Sequence, residues 1–138
     1  MNSLFPETYE SSRERFRSNL GRIQSRWQSA RLESHRYAGD DDVTTDWIRT
    51  DNGAHDKLVI FTTGEHGVEG YVGSAMLEMF IQDYLPRLDV TTTDVLLIHA
   101  VNPWGMKHRR RVNANNVDLN RNFLYDAQPD PGFNPEYT

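Results

Sequence analysis

The chain contains no cysteine among its 138 residues. That excludes a disulfide framework and any thiolate metal site, so a metal here must be held by histidine and carboxylate. Lysine is almost as scarce: Lys57 and Lys107 are the only two, and arginine supplies the rest of the 15 basic residues. Arginine's planar fork suits carboxylates and phosphates better than a lysine ammonium does. No apolar run approaches the length needed to span a membrane, and Met1 to Arg31 has no apolar stretch of the kind a secretory signal needs. The expectation is a soluble, cytoplasmic protein. There is no excess of positive charge either. A net charge of -5 argues against general binding to nucleic acid or to an anionic membrane.

What is present has the length of one domain, residues 1–138. Phe16, Leu20, Ile23 and Trp27 recur at helical spacing with arginines on the other faces, which predicts an amphipathic helix over about residues 7–31, inside an N-terminal region 1–36. The polar stretch 37–42 reads as a loop. Val43 to Thr50 and Leu58 to Thr63 then read as strands joined by the Asp51-Asn52-Gly53 turn and running antiparallel, the second as a buried strand of a covered sheet. Val72, Ala75, Met76, Met79, Phe80 and Tyr84 return at three and four, predicting a helix from about 68 to 85 that Pro86 stops. A further apolar strand covers 94–101. Strand, helix, strand over 58–101 is a βαβ crossover with parallel strands, so the class is α/β, with a mixed, largely parallel sheet and flanking helices. The α/β core extends over 37–125. Residues 102–138 show no clear period, and 126–138 read as an extended tail.

Such sheets bind ligands beyond the carboxyl ends of their strands, and both notable motifs begin there. The first, Thr63-Gly64-Glu65-His66-Gly67-Val68-Glu69-Gly70, places an imidazole and a carboxylate three positions apart where a strand turns into a helix. Two such groups can converge on one metal, or they can be a helix-start carboxylate with a neighbouring histidine. Three glycines around the pair imply close backbone approach. Glu65, adjacent to His66, projects elsewhere and reads as solvent-facing or supporting. The second motif lies in Asn113 to Asn122, which holds five asparagines and one aspartate. Asparagine marks turns, but Arg121 flanked by Asn120 and Asn122 is a set of donors fit for a substrate carboxylate. Asp118 reads as an acceptor for a metal-bound imidazole. The basic cluster Arg109-Arg110-Arg111 is better suited to placing one guanidinium against an oxyanion than to nucleic acid, because no aromatic residues interleave with it. His99 sits inside a strand as a core histidine, and His35 and His55 carry no signal.

Taken together, the strand ending Thr-Gly-Glu-His-Gly-Val-Glu-Gly, the Asn102-Pro103-Trp104-Gly105 corner, and Arg-x-Asn followed by Val-Asp-Leu-Asn-Arg-Asn-Phe resemble the zinc carboxypeptidase superfamily, in its bacterial branch classed as a domain of unknown function. The resemblance implies a zinc cofactor with His66 and Glu69 as ligands, Asn120 and Arg121 holding a substrate's terminal carboxylate, and Arg110 or Arg111 polarising the scissile carbonyl. It implies a hydrolase acting on a peptide or N-acyl amino acid, through a water that a glutamate activates for attack on an amide carbonyl. A desuccinylase or aspartoacylase type of amidohydrolase has the same ligand logic, and a catalytically dead carboxylate-binding fragment is the alternative outside enzymes. In that family the third zinc ligand, a histidine, and the general-base glutamate follow well beyond the Asn-Arg motif. No histidine follows His108, and Glu136 suggests itself for neither place. The resemblance therefore covers the amino-terminal half of such a domain. It implies an inactive, truncated chain with an open sheet edge through which it self-associates.

Overall fold

The computed structural model describes residues 4–39, 42–51, 53 and 56–122. The tail from Asp126, with Glu136, and Phe123 at the end of the second motif lie outside the described residues.

Thr8 opens the first helix, α1 (Tyr9–Ser18), with a reciprocal cap in which Thr8 and Ser11 each accept the other's backbone N–H. Such a cap stabilises a helix by about 1 kcal/mol. The helix predicted over 7–31 is not continuous. It breaks at Asn19, whose buried carboxamide donates to Glu78 Oε2 at 2.7 Å and to the Arg15 carbonyl, and the short α2 (Leu20–Gln24) follows. The predicted stripe nevertheless enters the core. Phe16, Ile23 and Trp27 are buried, Leu20 packs against them, and the Trp27 indole donates to the Thr93 carbonyl at 2.8 Å.

Where that helix was expected to end, a strand begins. β1 (Arg31–Arg36) pairs antiparallel with β2 (Thr44–Arg49), forming a hairpin. β3 (Lys57–Thr62) and β4 (Thr93–His99) are parallel, as the crossover requires. The sheet order is β1-β2-β4-β3, so β4 lies between β2 and β3. β2 and β3 do run in opposite directions, but they are not neighbours, because β4 pairs antiparallel with β2 and takes the place the turn signal suggested for β3. The class is mixed α/β, with one parallel and two antiparallel pairings among the described strands.

The crossover passes through α3 (Gly70–Met79), a π-helical turn (Phe80–Tyr84) and a 3₁₀ turn containing Pro86. Its core face consists of Ala75, Leu77, Ile81 and Leu85. Val72, Met76, Met79 and Tyr84, whose spacing predicts the helix, are 43 to 56% exposed. An all-round apolar helix hides which face turns inward, and here both faces are apolar. β3 departs from expectation for a related reason. It is an edge strand, and Leu58 and Ile60 are 56 and 57% exposed on a sheet face that no described element covers. Register places Leu96 and Ile98 of β4 and Trp47 of β2 on that same face.

Polar groups tie the covered face to α1. Arg17 Nε meets the fully buried Asp46 at 2.7 Å. Burial pushes the Asp46 carboxyl up, and hydrogen bonds from Arg17, Ser34 and Thr44 overcome that and hold it below the usual carboxylate range. His99 is fully buried, as expected of a core histidine.

Candidate functional site

Both motifs meet where β3 and β4 end. Ala100 adopts φ +34°, an unusual value for a residue with a Cβ, and turns the chain out of β4. Hydrogen bonds from Val101 N–H to the Thr63 carbonyl (2.9 Å) and from Asn102 N–H to the Gly64 carbonyl (2.7 Å) then lash the two strand ends together. Asn102 caps α4 (Pro103–His108), accepting the Gly105 N–H at 2.9 Å, with Pro103 in the first turn. The sequence pattern missed this helix because six residues show no period. The Asn-Pro pair was the available signal.

The loop bearing His66 lies directly on α4. A Cβ added at Gly67 would stand 2.0 Å from the Gly105 carbonyl carbon, so only glycine fits. Gly67 and Val68 donate their N–H groups to the carbonyls of Arg111 and Arg110 at 3.4 and 3.0 Å. These bonds join the first motif to the approach of the second. Asn102 Nδ2 adds a bond to the Arg111 carbonyl at 3.3 Å.

The His66 imidazole is set between two carboxylates. Nδ1 is 3.1 Å from Glu69 Oε2, and Nε2 is 3.2 Å from Asp118 Oδ1. Asp118 also accepts from Arg111 Nε at 2.9 Å through Oδ2 and from the Asn120 N–H at 3.0 Å through Oδ1. The Arg111 guanidinium holds the Asp118 carboxyl below the usual carboxylate range despite partial desolvation, with the His66 hydrogen bond adding to the effect. Asp118 and His66 side chains are each 12% exposed, whereas Glu69 is 64% exposed and faces water.

The same arrangement bears on whether a zinc ion fits. A neutral imidazole has one N–H, and if Asp118 takes it, a nitrogen lone pair and a carboxylate oxygen face each other 3.1 Å apart. Two acceptors in that position call for a cation or a proton between them. Two donors each roughly 2.0–2.1 Å from one tetrahedral zinc lie about 3.3 Å apart, close to the spacing found. The pair fits a divalent metal. No group of three His, Cys, Asp or Glu side chains suited to a metal occurs among the described residues.

The remaining candidates are placed as follows. Asn120 and Arg121 lie in a 3₁₀ turn (Leu119–Arg121) that Asp118 caps. The Arg121 side chain is exposed and touches the Asn120 carbonyl at 3.2 Å. The basic cluster is not one patch. Arg109, in a left-handed conformation at the end of α4, lies over the Tyr71 ring. Arg111 is engaged by Asp118, and Arg110 is exposed with no hydrogen bond or ion pair from its guanidinium among the described residues. Glu65 is exposed.

Residues 5–138 match the family described as "Protein of unknown function (DUF2817)". Among solved structures, one titled "Putative carboxypeptidase A" from Shewanella denitrificans OS-217 is similar with a TM-score of 0.52 at 19% identity, over 79% of this chain and 30% of that one. Another, of "a putative metallopeptidase" from Shewanella denitrificans OS217, matches with a TM-score of 0.49 at 19% identity, over 85% of this chain and 47% of that one. The first similarity shows a shared fold, and the chain spans less than half the length of either protein. No curated protein matches it.

Proposed function

The chain belongs to the DUF2817 family, and on that footing we propose that it carries part of the active site of a zinc-dependent, carboxypeptidase-like hydrolase that cleaves an amide bond next to a free carboxylate. The observation that carries this reading is the seating of His66 between Asp118 and Glu69, with Nδ1 3.1 Å from a Glu69 oxygen. Zinc held there by His66 and Glu69 would supply Lewis acidity toward a carbonyl oxygen. Asp118 fixes the tautomer and orientation of the imidazole, a common arrangement for metal-ligating histidines. Asn120 and Arg121, two positions on from Asp118, hold the substrate's carboxylate. A third ligand and a general base come from outside the described residues. The substrate is a peptide or an N-acyl amino acid, and the desuccinylase and aspartoacylase type of reaction uses the same groups.

A second reading, a carboxylate-binding module without chemistry, is favoured by the absence of a third metal ligand among the described residues. Titration of the protein with an N-acetyl amino acid and with its carboxamide, each with and without zinc and chelator, separates the two. The first reading expects the free carboxylate to bind better, zinc to tighten it, and Arg121→Ala to remove the preference. Carboxylate binding that a chelator leaves untouched supports the second, and equal binding of acid and amide refutes both.

A further inference from the structure

We infer that Arg111 is a positioning residue, acting on His66 through Asp118, and that Arg110 is the guanidinium left to meet a substrate. Sequence spacing does not separate these two arginines; the hydrogen bonds do. Arg111 Nε donates to Asp118 Oδ2 at 2.9 Å, and the other oxygen of the same carboxylate faces His66 Nε2 at 3.2 Å. The carboxylate is thus gripped from both sides. With Arg111 removed, only the Asn120 N–H at 3.0 Å still holds the carboxylate, through Oδ1, and the acceptor facing His66 is less firmly fixed.

The consequence reaches the imidazole proton. Two carboxylates compete for it, Asp118 at Nε2 and Glu69 at Nδ1. Asp118 is only 12% exposed and is fixed through both oxygens by Arg111 and the Asn120 N–H, whereas Glu69 is 64% exposed and can exchange its contact with the imidazole for water. A locked Asp118 holds the proton on Nε2 and leaves the Nδ1 lone pair turned toward Glu69. That is the tautomer in which Nδ1 can act as a ligand. Arg111 is also well anchored for the task, because its carbonyl receives the Gly67 N–H and Asn102 Nδ2. Its side chain is 49% exposed, so it is not a packing strut whose loss would open the core.

The zinc arm of the test rests on the proposed function; the tautomer arm does not. In metal-free protein at pH 8, ¹⁵N NMR of His66, assigned by its loss in His66→Gln, reads which ring nitrogen carries the proton. Zinc chloride titration reads affinity. The wild type is expected to be mainly the Nε2–H form. Arg111→Met moves it toward Nδ1–H and weakens zinc binding roughly tenfold, the lower end of what loss of an outer partner costs a metal site. Arg111→Lys restores part of both, and Arg110→Met changes neither. The inference is overturned if Arg111→Met leaves tautomer and affinity at wild-type values while Asp118→Asn moves both. If no variant binds zinc but Arg111→Met still shifts the tautomer, the metal reading fails and the Arg111 linkage stands.

Discussion

Lowering the pH from 7 to 4 should cost the protein about 3 kcal/mol of stability through one residue, His99. Its side chain is fully buried between α1 and the sheet. Nε2 meets Ser12 Oγ at 2.7 Å, Ser12 donates to Ser74, and Nδ1 is buried with no hydrogen-bond partner among the described residues. Phe16 stacks on the ring and Tyr9 lies beside it. Of the charged groups nearby, Asp46 on β2 favours protonation, while Arg13, Arg15 and Arg17 on α1 oppose it. Burial is the largest effect, and it lowers the pKa from 6.5 to about 4. The unfolded chain therefore takes up a proton near pH 6.5, and the folded chain refuses it until about pH 4. The stabilisation is complete above pH 6.5 and is lost as the pH falls to about 4, at up to about 1.36 kcal/mol per pH unit. Carboxylates with lowered pKa values titrate mostly below that window. Urea unfolding followed by tryptophan fluorescence, at fixed pH values from 7 to 4, measures the slope in wild type and in His99→Phe. The variant's absolute stability will differ, so the quantity that counts is the difference in slope. Equal slopes in the two proteins would refute the argument.

Other consequences concern packing and surface. Gly67→Ala drives a Cβ into the backbone of α4 and should cost more than about 3 kcal/mol, seen as a large drop in melting temperature together with loss of zinc binding; a melting temperature near wild type would show that the two loops can separate. Arg17→Met strands the buried Asp46 carboxylate. Fully buried pairs lose about 3–5 kcal/mol on such a change, and because Arg17 is 38% exposed the expected loss here is about 2 kcal/mol, measured by denaturant unfolding. The face with Leu58 and Ile60, which no described element covers, should make the protein self-associate as concentration rises, and Ile60→Lys should reduce this in light scattering; a wild type that stays monomeric throughout would count against it.

The sequence made legible those features that repeat at short range. Phe16, Ile23 and Trp27 entered the core although the helix carrying them breaks, because the stripe depends on burial more than on continuity. The βαβ unit was readable from a strand, helix, strand order that has few alternatives. β1 was not, since Arg-Leu-Glu-Ser-His-Arg lies at an edge with little buried and so has no alternation to detect. The insertion of β4 between β2 and β3 is a non-local pairing that turn residues cannot signal. The helix α3 was legible but its inward face was not, because both faces are apolar. At the site, local spacing brought out His66, Glu69, Asn120 and Arg121 as candidates, and the fold sets His66 beside Glu69 and Asp118. The division of labour between Arg110 and Arg111 needed the hydrogen bonds, because adjacent residues on an irregular segment point in directions that spacing does not encode.

The proposed function requires His66 and Glu69 to hold a metal. Its most direct test is calorimetric titration of zinc chloride into metal-stripped protein, for the wild type and for His66→Ala and Glu69→Ala. Saturable binding of about one zinc per chain is expected in the wild type, weaker than a site with three protein ligands would give, with its loss in both variants. Wild-type protein that takes up no zinc, or variants that bind it as the wild type does, would contradict the claim.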